Sequence, residues 1–288
     1  MERGRYTLLE NGSGTASGGF CPGGDKKWRM RKSDYIKFLG TAGARYVVSK
    51  QLRASGGIFL SLKGKRIILD PGPGSLVRCS HSRPPIEAAS LDALILSHSH
   101  IDHSNDINIL IDAMTYGGFE KRGVLYAPWD CLYGDDAVVL KYLRGYLDGI
   151  VTLEPERSFS LGDLSFTTSI THRHPVETYG ITFDYDGKKL AFMVDTRFFP
   201  SLLDSYRDIH TLVMNVVRYP PLPEESDILH LTFHDVREIV TSLSPGRVIL
   251  THFGMTMLKN DPTNLARSLS DETGIDIKAA TDGMVVDL

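Results

Sequence analysis

The stretch Leu94–His103 reads Leu-Ile-Leu-Ser-His-Ser-His-Ile-Asp-His. It begins as an apolar run that is typical of a buried strand, and it ends in four side chains that can bind metals: His98, His100, Asp102 and His103. Such groups are costly to bury without partners, so their clustering indicates a site rather than core packing. The alternative is a polar loop that is rich in histidine by chance, since short motifs give false positives.

The spacing divides this cluster into two pairs. His98 and His100 are two residues apart, so in an extended segment their side chains point the same way. Asp102 and His103 follow where the chain turns, so they can face a second point in space. This arrangement favours two neighbouring metal ions over one.

Other residues that can bind metals occur farther along the chain. His174 lies in a polar segment, and Asp195 and His252 each follow an apolar strand. His172 competes with His174, because both lie on one side of an extended segment. Asp195 could instead cap a turn, and His252 taken alone could equally be a surface histidine.

The complete candidate set has five histidines and two aspartates: His98, His100, Asp102, His103, His174, Asp195 and His252. Imidazole and carboxylate ligands suit zinc, manganese or iron, and no thiolate is among them. The set exceeds the three protein ligands plus water of a usual catalytic zinc. It fits two ions roughly 3.5–4 Å apart if one carboxylate bridges them. We therefore predict two divalent metal ions, zinc first, with manganese or iron as alternatives.

Asp70 marks the end of another predicted strand, in the segment Asp70-Pro-Gly-Pro-Gly. Its carboxylate could cap this turn, or it could support a metal ligand from behind through a hydrogen bond. Both roles stay open from the residues alone.

The overall composition is that of a globular protein. The chain has 288 residues with 42% hydrophobic and 23% charged content, which allows one large α/β domain or two small ones. The net charge of -3 gives no global sign of nucleic-acid binding, although a local basic patch is compatible with it.

Cysteine usage and hydropathy bear on location. Cys21, Cys79 and Cys131 form no CxxC pair, which indicates a reducing compartment. No apolar run approaches the roughly 18 residues that a bilayer-spanning helix needs. The N-terminus lacks a signal-peptide core. We therefore expect a cytoplasmic protein without membrane association.

The chain divides into two parts. Residues 1–34 contain a stretch rich in Gly and Ser and a basic stretch, which predict a mobile N-terminal extension. Residues 35–288 alternate between strand-like and helix-like patterns and predict a single domain. The strands come in two sets, with helices placed so that they can cover both.

Local patterns predict individual elements of this domain. Asp186-Gly187 between two apolar runs predicts a hairpin. Thr232 and Asp235 form a capping-box pattern at the start of a helix. The spacing of apolar residues in Asp135–Leu147 predicts a further amphipathic helix.

The metal-binding pattern resembles that of a known superfamily. His98-Ser-His100-Ile-Asp102-His103 matches the HxHxDH signature of the metallo-β-lactamase superfamily, and Asp70, His174, Asp195 and His252 occur in the family's order. The resemblance covers residues 35–288. It implies an α/β fold, a four-layer αββα sandwich with two mixed β-sheets and helices outside.

Several details narrow the choice among the branches of this superfamily. His100 disfavours the di-iron reductases, which carry Glu at this position, and Asp195 disfavours the true β-lactamases. Phe38-Leu-Gly-Thr-Ala-Gly43, the segment from His174 to Gly180, and Leu250-Thr-His252-Phe253 resemble the ribonuclease Z and cyclic phosphodiesterase branch.

This branch implies a role for each candidate. One metal ion would be held by His98, His100 and His174, the other by Asp102, His103 and His252, with Asp195 bridging. The nucleophile would be a hydroxide that bridges the two metals. His230 would stabilise the charge on phosphorus or protonate the leaving oxygen, and Asp70 would orient the histidine loop.

Two departures from this branch shape the predicted function. The arm with which ribonuclease Z grips tRNA is not evident, and the cysteines are too widely separated for the structural zinc of the phosphonate-pathway enzyme. We therefore predict a hydrolase, most specifically a phosphodiesterase for a small or cyclic phosphodiester or nucleotide, with RNA less favoured. Arg197 and Arg218 are candidates to bind the phosphate.

Other functions stay open. One is hydrolysis of a lactone or other ester by the same metal site. Another is a non-catalytic accessory role in cofactor biosynthesis, because the chain also resembles the pyrroloquinoline-quinone biosynthesis protein B group. A homo-oligomer is compatible with the sequence.

Overall fold

The computed structural model describes residues 34–223 and 225–288. The predicted extension, residues 1–34, lies outside this part except for Asp34, so its mobility stays a prediction. The Asp34 carboxylate accepts a hydrogen bond from the Lys63 backbone N–H at 3.0 Å.

The strands of the described residues are, in chain order, β1 (Tyr35–Phe38), β2 (Ile58–Leu62), β3 (Lys65–Leu69), β4 (Ala93–Ile95), β5 (Val124–Ala127), β6 (Gly149–Thr152), β7 (Ser158–Leu161), β8 (Leu164–Thr171), β9 (Tyr179–Tyr185), β10 (Lys188–Met193), β11 (Thr211–Asn215), β12 (Arg247–Thr251), β13 (Asp276–Ala279) and β14 (Val285–Asp287). They form two sheets. One has the spatial order β14-β1-β2-β3-β4-β5-β6, and the other has the order β13-β12-β11-β10-β9-β8-β7.

Each sheet is antiparallel at one end and parallel at the other. In the first sheet, the strands from β3 to β6 run parallel to one another. In the second sheet, the strands from β10 to β13 do so. The carboxyl ends of parallel strands share one edge, which is where ligands bind in open α/β sheets. Asp70, His98, Asp195 and His252 all lie just beyond such ends.

The helices of the described residues are α1 (Ala44–Ser49), α2 (Ser75–His81), α3 (Ile101–Ser104), α4 (Ile107–Met114), α5 (Trp129–Tyr133), α6 (Phe233–Leu243), α7 (Met255–Lys259) and α8 (Pro262–Thr273), with 3₁₀ turns at Ala88–Ser90, Lys141–Tyr146 and Pro200–Tyr206. None of them is long and apolar enough to cross a membrane.

The core shows how the layers stack. Side chains of a strand alternate between faces, and on β10 Phe192 packs between the two sheets while Ala191 and Met193 pack under α6 and α8. On β4, Ile95 faces the other sheet and Leu94 packs on the side of α4. Both sheets are thus buried on two faces, with helices outside. The predicted αββα sandwich is confirmed.

The two ends of the described domain meet in the first sheet. β1 pairs with β14, with Tyr35 opposite Asp287. The Asp282 carboxylate, in the turn before β14, accepts hydrogen bonds from the backbone N–H groups of Thr41 and Ala54 at 2.9 and 2.7 Å. The last residues therefore hold the loop that follows β1.

Two local predictions are confirmed. β9 and β10 form the predicted hairpin, and both Asp186 and Gly187 have positive φ, 47° and 74°, as the tight turn requires. The capping box at the start of α6 is present, with Asp235 N–H donating to Thr232 Oγ1 and Thr232 N–H donating to the Asp235 carboxylate.

The predicted helix over Asp135–Leu147 is wrong, because this segment contains only the 3₁₀ turn Lys141–Tyr146. Asn108 on α4 provides the physical reason. Its side chain donates to the Val138 carbonyl at 2.8 Å and accepts from the Leu140 N–H at 2.9 Å. These backbone groups, which a helix would use internally, are therefore bound to a distant part of the chain.

Candidate metal centre

Two site residues lie at sharp turns of the backbone. Asp70 follows β3 with φ 52°, and His252 follows β12 with φ 59°. Residues other than glycine rarely adopt this left-handed region, which costs roughly 1–3 kcal/mol and is concentrated at functional sites. This left-handed backbone conformation turns the chain abruptly at the end of each strand.

A first group joins three histidines from two loops. Ligand atoms of His98, His100 and His174 lie within 4.8 Å of one another. His100 Nδ1 and His174 Nε2 are 2.9 Å apart. His174 Nδ1 is 3.1 Å from the Leu229 carbonyl, which can only accept, so this nitrogen carries the proton. In a neutral imidazole, the Nε2 lone pair is then free to face His100.

A second group lies beside the first. It joins Asp102, His103 and His252, whose ligand atoms also lie within 4.8 Å of one another. The Nε2 atoms of His103 and His252 are 2.8 Å apart, and Asp102 Oδ2 is 3.5 Å from His252 Nε2. His103 Nδ1 is 3.0 Å from the Asp70 carboxylate, which leaves Nε2 directed toward the other two residues.

Asp195 approaches several of these residues. Its Oδ2 is 3.5 Å from His103 Nε2 and 3.4 Å from His230 Nδ1, and its Oδ1 is 3.7 Å from His252 Nδ1. The Asn215 side chain donates to Oδ1 at 2.8 Å and fixes the carboxylate. The buried carboxylate thus lies against the second group and His230, and its role as a bridge to the first group stays a prediction.

The structure separates the two competing histidines. His172 is buried, with Nε2 3.0 Å from the Tyr206 hydroxyl and Nδ1 3.2 Å from the Asp195 backbone carbonyl. Both of its ring nitrogens are therefore in hydrogen bonds away from the cluster. The structure brings His174, and not His172, together with His98 and His100.

Burial and charge act in opposite directions in this cluster. Burial lowers the pKa of His98 well below its ordinary value, and it lowers the pKa of His174 to about 4. Burial also opposes a charge on His103, but the carboxylates of Asp195 and Asp102 outweigh it and raise the pKa of His103 well above its ordinary value.

The carboxylates respond to the same neighbours. Burial would raise the pKa of Asp195, but His252, His230 and His103 outweigh it and hold the pKa well below the usual range. The cluster therefore combines ionised carboxylates with neutral imidazoles at His98 and His174 and a protonated imidazole at His103, whose proton a bound metal ion would replace.

The donor set fits divalent metal ions. His98 Nε2 is buried and has no hydrogen-bond partner among the described residues, which is costly unless a ligand binds it. All grouped donors are nitrogen or oxygen atoms, as zinc, manganese and iron accept. The buried thiols Cys79 and Cys131 are not part of these groups.

Residues behind the cluster hold it in place. The Asp70 carboxylate accepts hydrogen bonds from Ser97 N–H at 2.7 Å and from Ser97 Oγ at 2.6 Å, in addition to its contact with His103. Ser97 Oγ lies 2.9 Å from His98 Nδ1. Asp70 thus links both halves of the histidine loop, and its role in supporting metal ligands stays a prediction.

Some supporting residues were absent from the sequence-based prediction. Asn215 ends the apolar strand β11, and this signal is the same one that singled out Asp195 and His252. Asp130 and Glu177 join two loops by a reciprocal pair of hydrogen bonds. The Glu177 carboxylate accepts from the Asp130 N–H at 3.2 Å, and the Asp130 carboxylate accepts from the Glu177 N–H at 3.1 Å. This reciprocal pair joins α5 to the loop of His174, and only the fold brings it together.

The remaining predicted residues are His230, Arg197 and Arg218. His230 is partly buried, and its ring centroid is 5.3 Å from that of His174. Arg197 donates to the carbonyls of Ser226 and Pro223 at 2.6 and 3.0 Å, so its guanidinium is bound to a neighbouring loop. Arg218 follows β11, and its Nε is buried without a hydrogen-bond partner among the described residues.

Comparison with known proteins places this site in a family. Residues 65–253 match the model of the beta-lactamase superfamily domain. "Uncharacterized protein MJ1374" from Methanocaldococcus jannaschii is 31% identical over 260 residues, which cover 88% of this chain and 94% of that protein. The chain therefore belongs to the metallo-β-lactamase superfamily, as predicted, and is a metal-dependent hydrolase of that superfamily.

Solved structures show the same fold at lower identity. YhfI from Bacillus subtilis has a TM-score of 0.73 with 20% identity, over 89% of this chain and all (100%) of that chain. A diphosphatase from the PhnP family has a TM-score of 0.65 with 19% identity, over 88% of this chain and 98% of that chain. At this identity, the likeness concerns the fold.

Proposed function

We propose that this protein is a phosphodiesterase that uses two divalent metal ions, with zinc as the first choice, to hydrolyse a small or cyclic phosphodiester or nucleotide. The observation that carries the proposal is the position of Asp195, within 3.4–3.7 Å of His103, His252 and His230. When bound, a pair of divalent ions lowers the pKa of water and neutralises charge on a phosphoryl group.

The protein's own residues would divide the work. One ion would be held by His98, His100 and His174, the other by Asp102, His103 and His252, with Asp195 shared. Asp70 and Ser97 would fix the loop, because their hydrogen bonds set the tautomer and orientation of ligand histidines. In this arrangement Asp102 would act as a metal ligand in the reaction centre.

His230 would serve the substrate instead of the metal. Its Nδ1 faces Asp195 at 3.4 Å. With Nδ1 protonated toward the carboxylate, the other ring nitrogen donates a hydrogen bond to a phosphoryl oxygen or to the leaving oxygen only when the ring is an imidazolium. Such a donor stabilises charge that develops in the transition state.

Two points support phosphorus over carbon as the centre attacked. The proposed ligand set would have a shared carboxylate, Asp195, and a non-ligand histidine beside it, His230, and thereby resembles that of the cyclic phosphodiesterase branch. A PhnP-family diphosphatase shares the fold. This second point is an analogy, since one fold supports many reactions.

The test combines metal analysis with a substrate panel. We expect purified protein to carry close to two metal ions per chain. We also expect it to cleave bis(4-nitrophenyl) phosphate faster than 4-nitrophenyl phosphate, a lactone or a short RNA, with zinc or manganese. Protein without metal after growth in zinc or manganese would refute the metal centre. Faster hydrolysis of the lactone would identify an ester hydrolase instead.

A further inference from the structure

The helix α1 lies directly beside the metal centre. It contacts α3, which carries Asp102 and His103, and α7, which begins three residues after His252. Gly43 precedes this helix and lies so close to His252 that a Cβ atom there would be 2.3 Å from Nδ1 of that imidazole. The start of α1 therefore forms part of the wall of the site.

Arg45, in the first turn of α1, is a cation at this wall. The residue before it, Ala44, has a φ of 59°, so the backbone turns sharply just where the arginine begins. The side chain is exposed, and Arg45 has no hydrogen-bond or ion-pair partner within the described residues. Its guanidinium donors are thus free to bind a ligand.

The position of Arg45 along the chain also places it near the cluster. It lies two residues after Gly43, whose backbone packs against His252, on a helix that contacts both α3 and α7. The proposal therefore concerns a cation that begins beside the candidate ligands.

We propose that Arg45 binds the anionic oxygens of the substrate's phosphate at the mouth of the metal centre. This inference rests on the proposed function and adds a residue that selects anionic phosphodiesters over neutral esters. A guanidinium suits this role because its planar donors match phosphate oxygens in a bidentate way. Arg45 would be a substrate-binding residue and would not bind the metal.

The experiment uses Arg45→Ala, Arg45→Lys and Lys50→Ala in the full chain loaded with zinc. Lys50 is the matched control, because it is an exposed cation at the other end of the same helix. We expect Arg45→Ala to raise KM for bis(4-nitrophenyl) phosphate by about 10-fold or more, the loss expected for one charge-assisted contact. Metal content and hydrolysis of neutral 4-nitrophenyl acetate should not change.

Two further readouts separate binding from structure. Arg45→Lys should recover part of the loss. The rate with bis(4-nitrophenyl) phosphate should depend less on ionic strength in Arg45→Ala than in the wild type, because salt screens the exposed charge. Lys50→Ala should have the KM for bis(4-nitrophenyl) phosphate and the ionic-strength dependence of the wild type.

A binding measurement distinguishes this inference from the proposed function. Calorimetric titration of inorganic phosphate into the zinc-loaded protein should show about 10-fold weaker binding in Arg45→Ala. If the wild type cleaves no phosphodiester, the proposed function fails, and this titration still decides the role of Arg45. Equal phosphate affinity in both proteins, or no phosphate binding by the wild type, would overturn the inference.

Discussion

The Asp70 carboxylate uses both of its oxygens to hold other residues of the site, Ser97 and His103. We predict that Asp70→Asn weakens metal binding by roughly 10–100-fold, the usual effect of losing such a supporting group. Competition with a chromogenic chelator measures this affinity. Asp271→Asn, at an exposed position of α8, is the control and should bind metal as the wild type does.

His230 and His174 lie side by side, but we assign them different roles. We predict that His230→Ala retains its metal and loses roughly 10²–10⁴-fold in kcat, the range for loss of a positioned proton donor. His174→Ala should lose metal as well as activity. Metal analysis with steady-state kinetics distinguishes the two outcomes, and loss of metal from His230→Ala would mean that His230 is itself a ligand.

His172 differs from its neighbour in what its ring contacts. Its removal leaves the buried Tyr206 hydroxyl without this partner, so we predict that His172→Ala lowers the free energy of unfolding by roughly 1–3 kcal/mol. Urea unfolding measures this change. The metal content of the purified variant should match that of the wild type, and a halved content would contradict the assignment.

The sequence could reveal most of these residues but not their partners. His98, His100, Asp102 and His103 are adjacent, so their spacing alone indicates a site. The choice between His172 and His174 needed the positions of Tyr206 and Leu229, which come from distant segments. The role of Arg45 depends on where α1 lies against the site, and no local pattern contains that information.

Among the elements, α6 begins with a capping box that both sequence and structure show. We predict that Thr232→Ala lowers the free energy of unfolding by about 1 kcal/mol, because the Asp235 N–H loses its acceptor. Thermal or urea unfolding measures the change. Thr241→Ala, in the exposed last turn of the same helix, should change stability by less, and an equal loss would show that the cap is not responsible.

Local and distant interactions explain which elements could be predicted. The hairpin at Asp186-Gly187 and the cap at Thr232 depend on residues next to each other, so their sequence patterns suffice. The segment 135–147 has a helical spacing, but the side chain of Asn108 binds its backbone instead. Apolar periodicity describes which side chains can be buried, and it does not show where backbone groups find their partners.

For the whole molecule, the candidate ligands come from both sheets. His98, His100, Asp102 and His103 follow β4 of the first sheet, whereas Asp195 and His252 follow β10 and β12 of the second. Metal ions bound to both sets would therefore connect the two halves of the sandwich.

We predict that a chelator lowers the thermal stability of the protein. Free metal at 100 times its dissociation constant stabilises the folded state by about 2.7 kcal/mol per site. For a domain of this size, the melting temperature would then fall by roughly 5–11 °C per site. Differential scanning fluorimetry before and after EDTA measures the change, and added zinc should restore it. An unchanged melting temperature would argue against ions shared by the two sheets.

The sequence could predict the four layers but not the order of strands within them. The sequence predicts only that the strands come in two sets, because the apolar runs of parallel and antiparallel strands differ little. β13 and β14 follow each other closely along the chain, yet they belong to different sheets. Only the pairing of β14 with β1, which are distant in sequence, determines this arrangement.

The pairing of β1 with β14 has a consequence for the folding of the nascent chain. While the chain is still emerging from a ribosome, β1 lacks this neighbour and Thr41 lacks the carboxylate of Asp282 that anchors its loop. The wall of the site beside His252 is therefore completed only when residues 282–287 have been translated. Because such long-range strand pairing is slow, the nascent protein should acquire its metal ions only after β14 has left the ribosome.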